Sequence, residues 1–183
     1  MKTVQNALHR LFKSDLKVQS VRDIKPETLR SLGVKTIAVD ADNTTSHDRT
    51  TTPLPGAEEW IKELKKEGFK IVLLSNAATA RAKVLADQYD ITPLGLALKP
   101  LPFGYIRVAL RTRTMPQKIC MIGDQLFTDI MGANICGFKS IYVFPYAKET
   151  RNAASFAARR FLERQIFRIQ DKKQGESVEH TKS

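Results

Sequence analysis

Acidic side chains are scarce in this sequence: 19 Asp and Glu stand against 30 Lys and Arg in 183 residues, a net charge of +11. The shortage argues for anionic partners, whether nucleic acid, lipid headgroups or phosphorylated substrates, without choosing among them. Cysteine is nearly absent. Cys120 and Cys136 sit in apolar stretches with no metal-ligand spacing, so no disulfide framework is implied and both read as small buried hydrophobes in a reducing compartment. Long apolar runs are missing as well. No window is long enough to span a bilayer, and after Met1 the residues His9, Arg10 and Lys13 prevent a signal-type stretch. A cytosolic protein is expected, with contact at the inner membrane face left open. No internal repeat is present.

What remains is ordinary for a globular domain: 42% apolar and 27% charged residues. The length suits one domain with a real core over 1–183. Compact apolar runs of strand length occur at 34–39, 70–74, 118–122 and 140–144, with a fainter one at 91–98. Helical patterns separate them at 57–66, 78–88 and 103–110, and Gly68 is placed to end the first. Strands alternating with helices imply a central parallel sheet covered on both faces, a three-layer α/β/α Rossmann-like arrangement. This core is expected over 35–146. Ahead of it, 1–34 forms a helical extension, with an amphipathic helix at 4–12 and another that Pro26 opens. Behind it, 147–183 holds a basic helix and a polar tail.

In such sheets ligands sit beyond the carboxyl ends of the strands, so the residues just past each strand are the candidates for chemistry. The first strand delivers Asp40-Ala41-Asp42-Asn43-Thr44, two carboxylates able to face one cavity. The second ends in Ser75-Asn76, suited to phosphate oxygens at a helix amino terminus. Lys99 comes after the apolar stretch 94–98. The last of the four, Lys118 to Ile122, runs into Gly123-Asp124, with Asp129 five residues on, a common magnesium-ligand arrangement. Each piece alone is more often a turn cap, an N-cap or a solvated lysine. Four strand ends offering carboxylate, hydroxyl, cation and carboxylate in this order are not.

That order resembles the haloacid dehalogenase superfamily of phosphatases, and the resemblance covers about 35–144. It implies Mg2+ as cofactor and no large cap domain, since neither the gap from Asp40 to Ser75 nor that from Ser75 to Lys99 has room for one. Asp40 resembles the nucleophile and Asp42 the general acid and base. Magnesium would be held by Asp40, the main-chain carbonyl of Asp42, and Asp124, with Gly123 and Asp129 in support. Ser75, Asn76 and Lys99 would bind the phosphate, and Thr44 would brace the loop. Thr45 departs from the pattern, which is usually apolar there.

Asp23-Ile24-Lys25-Pro26-Glu27 and Gly123-Asp124-Gln125-Leu126-Phe127-Thr128-Asp129 further resemble the YqeG family, similar to mitochondrial and plastid phosphatidylglycerophosphate phosphatases. The implied substrate is phosphatidylglycerophosphate, in phospholipid biosynthesis. A basic helix over 150–173 offers a surface for an anionic membrane, with Ala154, Ala158, Phe161, Leu162 and Ile169 on one face and Phe167 off it. Docking of that helix on the domain is the equal alternative. Competing functions are a phosphatase for a soluble phosphometabolite or macromolecule, and a basic adaptor binding RNA or ribosomes on the same scaffold. No nucleic-acid module accompanies the charge.

Overall fold

A computed structural model describes residues 10–146 and 161–168. Its centre is one sheet of six parallel strands: β1 (Leu16–Val18), β2 (Thr36–Val39), β3 (Lys70–Leu74), β4 (Thr92–Leu94), β5 (Ile119–Gly123) and β6 (Lys139–Val143). Their spatial order is β1-β6-β5-β2-β3-β4. The helices are α1 (Pro26–Ser31), α2 (Ala57–Lys66), α3 (Thr79–Tyr89), α4 (Pro102–Thr112) and α5 (Met131–Ile135). The expected α/β class and parallel sheet are therefore present. β1 is an addition. Three half-buried residues on an edge are too short and too weakly apolar to stand out in a sequence.

Both faces of the sheet are covered, and the strands show it by strict alternation. Ile37, Val39, Ile71, Leu73, Cys120 and Ile122 join Trp60, Ile61, Leu64 and Leu85 in one apolar cluster. Their neighbours Ala38, Val72, Leu74, Ile119 and Met121 join Tyr105, Val108 and Ala133 in the other. Side chains of period two serve two helical layers at once. Burying one such Leu or Ile contributes roughly 2 kcal/mol. α2 ends as its sequence requires: Gly68 takes the left-handed conformation at φ +85° that closes the helix.

Register sets the level at which the strands stop. Val39 lies opposite both Leu73 and Ile122. The residues that come after β2, β3 and β5 therefore emerge on one rim, with Asp40 N–H still bonded to Ile122 O (2.9 Å). From β2 to α2 the chain makes only a folded-back loop, pinned by isolated bridges from Ser46 to Asp42 and Pro53. No cap domain occurs among the described residues.

The helix expected at 4–12 lies mostly outside the described residues; 10–12 are helical. Of the basic segment at 150–173, only 161–168 is described, and it is helical. That piece docks on the sheet. Glu163, 1% exposed, accepts from Leu126 N–H (3.0 Å), and Phe167 packs edge-on against Tyr142 at 5.1 Å. The face in contact is thus Glu163, Ile166 and Phe167, while Phe161 and Leu162 point to solvent, the reverse of the expected apolar face. The docked face packs Ile166 and Phe167 and also satisfies the buried Leu126 N–H, so it gives up nothing in apolar contact to Phe161 and Leu162 and gains a hydrogen bond.

Candidate active site

Lys99 stands at the centre of the rim. Its Nζ donates to Asp40 Oδ1 (2.6 Å) and Asp129 Oδ1 (2.7 Å), all three side chains being buried. Asp124 is fully buried beside them. Carboxylate oxygens of Asp40, Asp124 and Asp129 lie within 4.8 Å of one another. Three acidic groups this close repel strongly unless cations stand among them, and one ammonium does not balance three carboxylates. The donor set is oxygen-only and hard, which fits Mg2+ and similar ions.

The charges act on each other. Burial drives the Asp40 carboxyl up to about 7, with Lys99 opposing and Asp129 adding to the rise. For Lys99 burial favours the neutral amine, but Asp129 and Asp40 together outweigh it and hold the ammonium above its ordinary range. Asp129 is itself fixed, its Oδ2 accepting from Gln125 N–H (3.0 Å). Gly123 makes room for it: any Cβ there would overlap the Asp129 carboxylate.

Asp42 takes a different course from its neighbour. Arg81 on α3 grips its carboxylate with both arms, Nη1 to Oδ1 at 2.6 Å and Nη2 to Oδ2 at 2.7 Å, and Arg49 N–H adds a third bond at 2.8 Å. The carboxylate is not among the three that cluster. The atom of Asp42 expected to face the metal is its main-chain carbonyl, not this carboxylate. Arg81 is a residue that the motifs do not point to. Its signal is faint: an Arg early in the helix after Ser75, with nothing nearby to name its partner.

Two supporting residues differ from expectation. Asn76, expected on the phosphate, spends both ends of its amide on Lys99: Oδ1 accepts from Lys99 N–H (2.7 Å) and Nδ2 donates to Lys99 O (3.1 Å). It positions the lysine backbone. Thr44 is buried, yet its hydroxyl has no hydrogen-bond partner among the described residues. Bracing comes from Thr45, whose Oγ1 donates to Asp40 O (2.9 Å) and whose carbonyl accepts from Tyr89 OH (2.6 Å), and from Ser46, which donates to Ala41 O (3.1 Å). The polar departure at Thr45 therefore has a structural reason. Ser75 is buried at the rim, its Oγ accepting from Ala77 N–H (3.1 Å).

Comparison with known proteins gives the family. Residues 19–137 match the haloacid dehalogenase-like hydrolase family. The "Probable phosphatase YqeG" of Bacillus subtilis (strain 168) is 34% identical over 76% of this chain and 81% of its own. The "Phosphatidylglycerophosphatase GEP4, mitochondrial" of Saccharomyces cerevisiae (strain S288c) is 28% identical over 67% of this chain and 73% of its own. A crystal structure of an uncharacterized protein from Listeria monocytogenes serotype 4b shares the fold, with a TM-score of 0.51 at 18% identity over 67% of this chain and 88% of that one. By the family match and the extent of its likeness to the Bacillus protein, the chain belongs to the haloacid dehalogenase-like hydrolases, as a phosphatase.

Proposed function

We propose that this phosphatase removes the terminal phosphate of a phospholipid, phosphatidylglycerophosphate, by attack of Asp40 on phosphorus. The observation that carries the reading is the convergence of Asp40, Asp124 and Asp129 around Lys99 on a rim without a cap domain among the described residues. An open rim suits a phosphate that projects from a surface. The likeness to the yeast phosphatidylglycerophosphatase supports the same substrate.

Asp40 forms the new P–O bond in line as the bond to the leaving alkoxide breaks, giving an aspartyl-phosphate. To protonate the leaving oxygen, the Asp42 carboxyl must come off the two-armed grip of Arg81 and take up a proton from solvent; as carboxylate it then takes a proton from water, which attacks the same phosphorus and frees Asp40. Arg81 keeps the Asp42 carboxylate oriented before the substrate arrives. Ser75 and Lys99 face the phosphoryl oxygens, with Asn76 holding Lys99 in register. Asp40, Asp124 and the Asp42 carbonyl would hold magnesium, with Asp129 and Gly123 in support. When bound, the cation supplies neutralisation of phosphoryl charge.

Phosphate release by the full chain from phosphatidylglycerophosphate in mixed micelles, set beside a panel of soluble phosphomonoesters, tests the substrate. Faster turnover of the lipid is expected; soluble esters turned over far faster sink the lipid assignment. Chelation and Asp40→Asn should each abolish release on every substrate, and full activity of the variant refutes the mechanism.

A further inference from the structure

α4 buries one face, Gly104, Tyr105, Val108 and Thr112, against the sheet. Its opposite face should then be polar, and it is not. Phe103, Ile106 and Leu110 recur there at helical spacing, and the loop entering the helix adds Leu96, Leu98 and Leu101. All six are between 51% and 72% exposed. Single exposed leucines are normal; a contiguous group is a mark of an interaction surface. The loop is built to present them. Residues alternate, with Ala97 and Lys99 buried while Leu96 and Leu98 face outward, and both leucines hold the left-handed conformation, at φ 49° and 54°, that branched apolar residues avoid. Arg107 ties loop to helix by donating to Gly95 O (3.2 Å).

Charge says what covers this face. Between Asp90 and Asp124 the chain has no acidic residue, while Arg107, Arg111, Arg113 and Lys118 lie exposed within that span, Lys99 being buried and paired in the site. Arg107 and Arg111 each come directly after an exposed apolar residue of the α4 face, Ile106 and Leu110, and so border it. A second copy on the same face would set arginine against arginine with no carboxylate from this stretch to pair them. We infer that the 96–110 face seats on an anionic bilayer, apolar side chains in the interfacial region and arginines at the lipid phosphates. Leu98 precedes Lys99, whose Nζ is bonded to Asp40, so docking at this face brings headgroup phosphates to the rim. The inference rests on the lipid-phosphatase reading for its purpose, but binding is measured apart from turnover.

Co-sedimentation of the full chain with vesicles of phosphatidylcholine, alone and mixed with phosphatidylglycerol, tests it. The parent protein should pellet with the mixed vesicles. The double variants Phe103→Ser/Ile106→Ser and Arg107→Gln/Arg111→Gln should each bind about tenfold more weakly or worse, while turning over a small aryl phosphate at the parental rate, which also shows that they fold. Parental vesicle binding by both variants, or no vesicle binding by the parent, overturns the inference. So does a serine variant of smaller oligomeric size than the parent, since a second copy then covers the face. Hydrolysis of soluble esters in preference to lipid defeats the substrate assignment alone, and the surface stands if the variants still lose vesicle binding.

Discussion

The pocket around Lys99 and the outer face of α4 adjoin each other in the chain, and each inverts the usual distribution of polarity. In the first, Asp40, Lys99, Asp124 and Asp129 are all 6% exposed or less. In the second, large apolar side chains are more than half exposed. Removing an ion from water costs several kcal/mol after relaxation, so a fold that wanted stability alone would place apolar residues in that pocket. Leaving apolar side chains in water forgoes about 25 cal/mol per Å2 of burial. The two regions thus fail as stability elements in opposite senses. Under the proposed function and the proposed docking surface, each would be completed from outside the chain: phosphate and a divalent cation in the pocket, an anionic surface on the helix.

The contrast breaks most visibly at the central lysine. Lys99→Met leaves three carboxylates around a gap, and the metal-free variant should lose about 3–5 kcal/mol in urea unfolding. Added magnesium should return part of this. An unchanged midpoint would show that the pocket charges are not coupled.

pH supplies a second lever. Because Asp40 is raised from 3.8 to about 7, the folded metal-free protein keeps a proton that the unfolded chain releases. The contribution to stability is complete below the lower value and is lost as pH rises through the higher one. In chelator, the melting temperature of the parent should fall relative to Asp40→Asn as pH climbs across this window. Parallel curves would refute it.

Arg81 gives a smaller effect. Arg81→Met should lower kcat on a soluble aryl phosphate by about tenfold, because the acid and base would no longer be positioned, with KM moving less. Arg81→Lys, which keeps charge but not the two-armed grip, should recover part of the loss. Equal kcat in all three would remove Arg81 from the site. Smallest of all is the surface side of the comparison: Phe103→Ser should shift unfolding free energy by less than about 0.5 kcal/mol. A loss well above that would mean the ring is packed and not waiting for a partner.

Much of the site was legible because its pieces are local. Asp40, Ser75, Lys99 and Asp124 each come just after an apolar run, and the end of a parallel strand is where such a residue meets its counterparts from neighbouring strands. Arg81 was not legible, since its partner is 39 residues away and only the packing of α3 beside the loop after β2 brings them together. Asn76 was placed in the right neighbourhood, but its bonds to the Lys99 backbone were not foreseen: an amide beside a candidate phosphate site reads the same whether it binds ligand or backbone. Thr45 shows the converse. Its hydroxyl looks like a defect in an apolar position until the Asp40 carbonyl is found in front of it.

By itself the sequence determined the α/β alternation, the two-sided sheet and the inventory of charged groups at strand ends. These arise from side-chain periods of 2 and 3.6, which are properties of the chain and need no distant contact. The tertiary structure alone decided which carboxylate meets Lys99 and which meets Arg81, and which helical face remains uncovered. Those outcomes depend on strand register and on the order in which strands pair, and energies of that kind arise only between residues far apart in the sequence.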